Sequence, residues 1–405
     1  MPSSLITTLR SNLPTDVDVP AQVGEDDQRN LLYALVAVPD PRDRRGVRYR
    51  LTSLLAVAVC AVLAGAATFA AIADWAADLD PAVRLRLGFA GSIPAGSTVW
   101  RFLIRLDAAV LQAVLTGWLR ARSSASVQSS GPSRRRIVIA VDGKVVRGAR
   151  LPDGRQVHLL SAYDTSTGVV LAQLTIAAKS NEIPAFTPLL DQVKAILGSL
   201  DGVVIVADAL HTQVTHATDL HERGAHLMVT VKANQPTLLQ RLKTLPWAQV
   251  SVGHRSSERG HGRRETRTLK AVTVETPEGL GFPHAAQAVR ITRTRTVAGK
   301  TARETAYLIV TLPAEAAQPP DLADWARSEW HIENRLHWIR DVTLHEDAHQ
   351  ARTGNGPAVA AVLRNTAIGY HRTNGQPNIA RATRHADRRP HDLVTAVTSS
   401  TPTTQ

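Results

Sequence analysis

The chain has 405 residues, 44% apolar and 20% charged, enough for one large domain or two to three ordinary ones with real cores, so it reads as a folded globular protein. A net charge of +12 attracts polyanions, because Lys and Arg release counterions from phosphates, and nucleic acid is the leading partner. One cysteine, Cys60, excludes an internal disulfide and a cysteine-based metal cage, and the acid-bearing first thirty residues exclude a signal peptide; a reducing, cytoplasmic location is expected.

In chain order, residues 1–26 are expected to form a flexible N-terminus and residues 27–120 an all-α domain, with apolar clusters at 31–37, 51–73, 97–104 and 108–118 separated by turn chemistry. Leu54 to Ala73 carries no charge over a length that would span a bilayer. Its alanine content, the interruptions at Gly65 and Thr68, and the acids Asp74, Asp78 and Asp80 that follow favour a buried helical pair, with no membrane partner. The Ser-rich stretch 121–133, with Gly131-Pro132, predicts a linker. Short β-branched runs then follow at Ile137 to Val141, Val157 to Tyr163, Val169 to Ile176, Val203 to Val206 and Leu227 to Val231, with helix-length patterns at 182–198 and 212–223. The order predicts an α/β sheet over 134–350 whose first three strands are antiparallel, interrupted at 245–312 by a β-rich insertion. A helix over about 321–341, a C-terminal helix within 351–372 and a frayed polar tail over 373–405 complete the expectation.

Two buried strands end alike, IVIAVD at Asp142 and VVIVAD at Asp208. In open α/β sheets sites form at the carboxyl ends of strands, and two carboxylates there on adjacent parallel strands call for a hard divalent cation, with Mg²⁺ the natural occupant. Either aspartate alone reads sooner as a turn or helix-cap residue; the pair is what points to a site. A third acid is sought on SEWHIENRLHWIRDV, where Glu329, Glu333 and Asp341 lie; on an α-helical wheel Glu333 sits at the edge of the stripe Trp325, Ile332, Leu336 and Ile339, with Arg340 on its own face. Without the strand-end aspartates, this would be an exposed helix with ordinary Glu–Arg pairs. Neither HExxH nor a Cys–His cluster occurs, which argues against zinc and against histidine ligands, and no phosphate-loop, dinucleotide or nucleophile-elbow motif stands in context. Lys144 suits a phosphate contact, as do Arg147 and the triple arginine 134–136; on the insertion, Arg263, Arg264, Arg267, Arg293 and Arg295 could follow a DNA backbone, the last two sharing a strand face.

The stretches IAVDGKVVRGAR, HLLSAYD, VIVADALHTQ, TVKANQPTLL, GHGRRETR and WHIENRLHWIRDVTLHEDAHQAR, in order between about Pro39 and about Arg372, resemble the insertion-sequence transposases of the H-repeat-associated branch. The resemblance implies a ribonuclease-H-like catalytic core with a β-rich insertion, two Mg²⁺ ions (replaceable by Mn²⁺), DNA ends and target DNA as partners, and a homodimer or larger assembly on DNA. It places Asp142, Asp208 and Glu333 as the catalytic and metal-binding triad. Arg340 falls where wider relatives often carry Lys, implying a DNA contact, and Arg327 where the branch carries Arg. Glu329 stands where His is expected, and Asp341, Glu346 and Asp347 match family acids and stay open as alternative third ligands. The rival reading is an inactive or domesticated copy that only binds DNA.

Overall fold

The computed structural model describes residues 27–45, 47–127, 136–151, 153–177, 180–260 and 262–400. Among the described residues, a 3-10 turn at Asp27–Arg29 is followed by six α-helices: α1 (Leu31–Leu35), α2 (Leu51–Leu63), α3 (Phe69–Asp78), α4 (Pro81–Arg86), α5 (Gly96–Leu103) and α6 (Ala108–Val127). The long apolar run is the expected helical pair. It breaks after α2 at Gly65, which takes a positive φ of 100°, and restarts where the Thr68 hydroxyl accepts from the Ala71 amide at 3.1 Å. Helix α2 is buried nearly all round, which is why it lacks a polar face. Among the described residues no single helix is long and apolar enough to cross a membrane.

The linker expected from residue 121 is corrected: α6 runs on to Val127. Alanine and serine are tolerated in a helix, and tertiary contacts hold this end in place. Trp118 stacks on Tyr370 at 5.6 Å, and the Arg122 guanidinium lies 5.6 Å and 5.7 Å from those two rings. Residues 128–135, with Arg134 and Arg135, lie outside the described residues, as does the stretch 1–26.

The α/β region follows the predicted order: β1 (Val138–Arg150), β2 (Gln156–Asp164), β3 (Val170–Thr175), α7 (Glu182–Leu197), β4 (Val204–Ala207), α8 (Val214–Glu222), β5 (His226–Val231) and α9 (Pro236–Thr244). Next come β6 (His254–Gly260), β7 (Arg263–Thr273), the short α10 (Pro277–Leu280), β8 (Gln287–Val297) and β9 (Lys300–Val310). All nine strands form one sheet in the order β3-β2-β1-β4-β5-β9-β8-β7-β6. The first three are antiparallel; β4 runs parallel to β1 and to β5. The β-rich insertion is thus a continuation of the sheet. Only Tyr307 to Val310 of β9 pair with β5, so the rest of β6 to β9 projects as a blade. Its β8–β9 turn is the two residues Ala298 and Gly299 with φ 46° and 77°, the primed geometry that matches strand twist.

Helix α11 (Pro319–Ile332) opens with a reciprocal Gln318–Asp321 capping box and continues as π-helical turns at Glu333–His337 and Ile339–Thr343. Helix α12 (Gly356–Thr373) is buried over most of its length between α2, α6 and the sheet. The frayed tail expected over 373–405 is a second correction over its described part, where α13 (Ile379–Arg388) and α14 (Pro390–Thr398) pack onto the body; residues 401–405 lie outside the described residues. Their few apolar residues, Ile379, Leu393, Val394 and Val397, recur at helical spacing and are all buried. Asn378 caps α13, the Asn30 amide donates to the Thr398 carbonyl at 2.6 Å, and Arg86 donates to Thr395 at 2.7 Å. One core cluster runs from Leu31 through the sheet to Val397, so the N-terminal helices and the sheet share a core.

Candidate active site

Strands β1 and β4 lie side by side in register, Val141 opposite Ala207, so the next residues on each, Asp142 and Asp208, emerge as neighbours. At Asp208 the chain leaves the sheet, and its Oδ1 accepts from the Leu210 amide at 2.8 Å, capping a short 3-10 turn. At Asp142 β1 continues, pairing Asp142 with Ser161 of β2. Glu333 arrives on the π-helical turn that continues α11. Ile332, Leu336 and Ile339 bury themselves with Ala140, Tyr163 and Ile368, and this packing presses the helix onto β1. His337 is thereby driven in beside Asp142, its Nδ1 3.5 Å from Asp142 Oδ2 and 3.3 Å from Glu333 Oε2. One ligand atom from each of Asp142, Glu333 and His337 lies within 4.8 Å of the others. Glu329, one turn before Glu333, points towards β5, where its Oε2 lies 3.5 Å from the Thr230 hydroxyl.

Burial, with the charges of Glu182, Asp208 and Glu333, pushes the Asp142 carboxyl up to about 7. Burial and the charge of Asp208 likewise raise Glu329 to about 7, against the pull of Lys232. Glu333 is lowered, first by its hydrogen bond to His337. Burial lowers His337. Two carboxylates and an imidazole brought this close form a donor set that fits a divalent cation; Asp208 is not one of the three, and its nearness is felt in the rise of Asp142.

The three other candidate acids, Asp341, Glu346 and Asp347, are engaged elsewhere. Asp341 pairs with Lys144 at 2.6 Å, and the Asp347 carboxylate accepts from the Arg147 amide at 3.2 Å. Glu346 is fully buried, accepting from Arg340 at 2.9 Å on each oxygen and from Arg364 at 3.3 Å. Two expectations need correction here. Arg340 is 0% exposed and bound bidentately to Glu346, so it cannot touch DNA. Lys144 is buried with its ammonium on Asp341, which removes it as a free phosphate contact. Arg147 is exposed.

Two groupings escaped the sequence reading. His337 lies four residues after Glu333, a spacing that shares a helical face and could have been noticed. The other cluster joins α7, β2 and the turn capped by Asp208: the Glu182 carboxylate meets His158 at 3.2 Å and the buried His211 at 3.3 Å. It explains the glycine after Asp142, since a Cβ at Gly143 would come within 2.1 Å of Glu182 and 2.6 Å of His158.

On the blade, Arg263, Arg264 and Arg295 are exposed near its tip. Arg267 and Arg293 are paired across β7 and β8, and each guanidinium lies over the half-exposed indole of Trp330, at 5.9 Å and 5.5 Å. Arg267 also pairs with Glu265, and Arg293 with Glu304 at 2.7 Å. Arg327 bridges α11 to Glu258 of β6 at 2.6 Å. The basic blade is therefore tied to the helix that carries Glu329 and Glu333.

Comparison with known proteins converges on one group. The family model described as "Transposase DDE domain" matches residues 133–369, and the one described as "DDE_Tnp_1-associated" matches residues 32–119. The chain is 28% identical over 352 residues to "Putative transposase YncI" of Escherichia coli O157:H7, covering 84% of this chain and 86% of that protein. It is 26% identical over 359 residues to "H repeat-associated putative transposase YhhI" of Escherichia coli strain K12, covering 84% and 89%. Among solved structures, a piggyBac transposase synaptic complex with hairpin DNA aligns with a TM-score of 0.40 at 12% identity, over 95% of this chain and 81% of that one, too distant to bear on the fold.

Proposed function

The chain belongs to the DDE transposase family, in its H repeat-associated branch, and from that premise we propose that it cuts the ends of an insertion sequence and joins the freed 3′-hydroxyls to target DNA. In this reading the core is ribonuclease-H-like, and Asp142, Asp208 and Glu333 hold two Mg²⁺ ions, for which Mn²⁺ can substitute. What supports it is the approach of Asp142 and Glu333, nearly 200 residues apart in the chain, to within reach of one ion, with Asp208 at the end of the parallel neighbouring strand close enough for its charge to raise Asp142. Bound divalent ions supply Lewis-acid charge at the scissile phosphate. The protein's part is positioning: β1 and β4 fix the two aspartates, the buried stripe of α11 sets Glu333, and the Lys144–Asp341 pair braces the helix against β1.

DNA is held, in the same proposal, along the blade and the adjoining face, by Arg147, Arg263, Arg264, Arg267, Arg293 and Arg295, with two or more copies assembled on paired ends. Backbone contacts of this kind are sequence-independent and salt-dependent. Replacing both Arg263 and Arg264 by alanine is expected to weaken binding to all duplexes alike and to flatten the slope of log affinity against log salt by about 2, roughly 0.9 for each phosphate no longer neutralised. An unchanged slope in a salt titration would remove these two residues from the interface.

The reading as a whole is tested with purified protein and DNA carrying the inverted ends of its element. Nicking that needs Mg²⁺ or Mn²⁺ and stops on chelation is expected. Tight binding to the ends with no metal-dependent cleavage would overturn it in favour of a DNA-binding protein that has lost catalysis.

A further inference from the structure

We infer that His337 is itself a metal ligand, completing with Asp142 and Glu333 an Asp–Glu–His set for one ion and biasing that position towards Mn²⁺ over Mg²⁺. The inference rests on the reading of the carboxylates given above and extends it to a side chain outside the acidic triad. Its basis is geometric. Nδ1 of His337 stands 3.3 Å from Glu333 Oε2 and 3.5 Å from Asp142 Oδ2, and the three atoms lie within 4.8 Å of one another, the spacing of donors that share a cation about 2.0–2.2 Å from each. The ring is 2% exposed and cannot swing out into solvent. Glu333 and His337 share one π-helical turn, which places both side chains on the flank of the helix that faces Asp142.

The opposite ring nitrogen supports this role. Nε2 of His337 is buried with no hydrogen-bond partner among the described residues, so nothing on that side obliges it to be an acceptor. The proton can reside there, leaving Nδ1 bare towards the carboxylates, as ligation requires. The missing outer partner has a cost: a ligating histidine usually donates its second N–H to a carboxylate or carbonyl, and without one the site binds its ion more weakly. Two hard carboxylates and one imidazole suit Mn²⁺ or Co²⁺ better than Mg²⁺, which favours an all-oxygen shell and keeps its waters.

Pulsed electron paramagnetic resonance on the full-length protein loaded with Mn²⁺ alone tests the assignment directly, because a directly bound imidazole couples its ¹⁴N nucleus to the metal. The expected result is nitrogen coupling on a Mn²⁺ population that Asp142→Asn eliminates. In His337→Gln the coupling disappears and Mn²⁺ affinity falls about tenfold or more, while Mg²⁺ affinity changes by less than about threefold. The wild-type spectrum is decisive whether or not that variant folds. Mn²⁺ that depends on Asp142 but shows no nitrogen coupling would overturn the inference and leave the carboxylate site standing, with His337 as a hydrogen-bonding neighbour. If no Mn²⁺ population depends on Asp142, the inference falls together with the reading beneath it.

Discussion

Asp142→Asn will abolish strand cleavage and, in the absence of metal, raise the melting temperature at pH 8. The first effect follows from charge. Asparagine keeps the shape of the side chain but cannot balance a divalent ion, so cleavage should drop by about a thousandfold or more, as when a principal electrostatic stabiliser is lost. The second follows from proton linkage. Asp142 is raised from 3.8 to about 7, chiefly by burial. A carboxyl raised on folding binds more protons in the native state than in the unfolded one between about pH 4 and pH 7. Stability from this group is therefore present at low pH and lost as pH rises through about 7. At pH 8 the ionised carboxylate opposes folding, and asparagine removes that opposition. The side chain is 32% exposed, so solvent screens the effect, and a rise of a few degrees is expected. Calorimetry in chelator should show the advantage of the variant over the wild type shrinking from pH 8 to pH 5; Glu329, also raised to about 7, and the buried His216 and His349, lowered to about 4, titrate in both proteins alike. Cleavage by the variant, or a lower melting temperature at pH 8, would refute the placement of this carboxylate.

That pairing of lost activity with gained stability also separates what could be read from the chain and what could not. Strands β1 and β4 were legible because a strand buried on both faces is a continuous apolar run, and a carboxylate that ends such a run stands out; their shared end then followed from parallel neighbours. Arg340 was misplaced for a specific reason. On an α-helix seven residues nearly complete two turns, which puts Arg340 on the face of Glu333. From Glu333 to His337 and again from Ile339 to Thr343 the chain is π-helical, its i→i+5 bonding widens the turn, and seven residues no longer return a side chain to the same face, so Arg340 faces the interior. The four-residue step from Glu333 to His337 survives the same change, so the pair stays on one flank. In the linker and the tail, serine, threonine and charge give ordered helices the composition of disorder. Contacts from remote segments, such as Arg122 on Tyr370 and Thr398 on Asn30, are what fix them, and no local pattern announces these.

The same distinction predicts that Glu346 will look catalytic in an activity assay and prove structural in a melt. Its carboxylate is fully buried between two guanidinium groups: Arg340 binds both oxygens, and Arg364 reaches on to the Leu344 and Ala67 carbonyls at 3.2 Å and 2.8 Å. Gln173 joins from β3, accepting from Arg340 at 3.2 Å and from Asn365 at 2.9 Å. This network anchors the π-helical turns after Glu333 to α12, to the sheet and, through Ala67, to the turn between α2 and α3. Glu346→Ala leaves two buried cations with no counter-charge, a loss of roughly 3–5 kcal/mol, a large share of the roughly 5–15 kcal/mol that holds an ordinary domain folded. Cleavage would vanish with the fold, with a melting temperature well below wild type, the reverse of Asp142→Asn. The combined variant Arg340→Met, Glu346→Leu, Arg364→Met removes every charge at once and should recover much of that stability, because the desolvation penalty of the ions disappears with them. Recovered folding with cleavage restored would assign the network to architecture alone; a Glu346→Ala protein that melts like wild type yet fails to cleave would make Glu346 a candidate third ligand again.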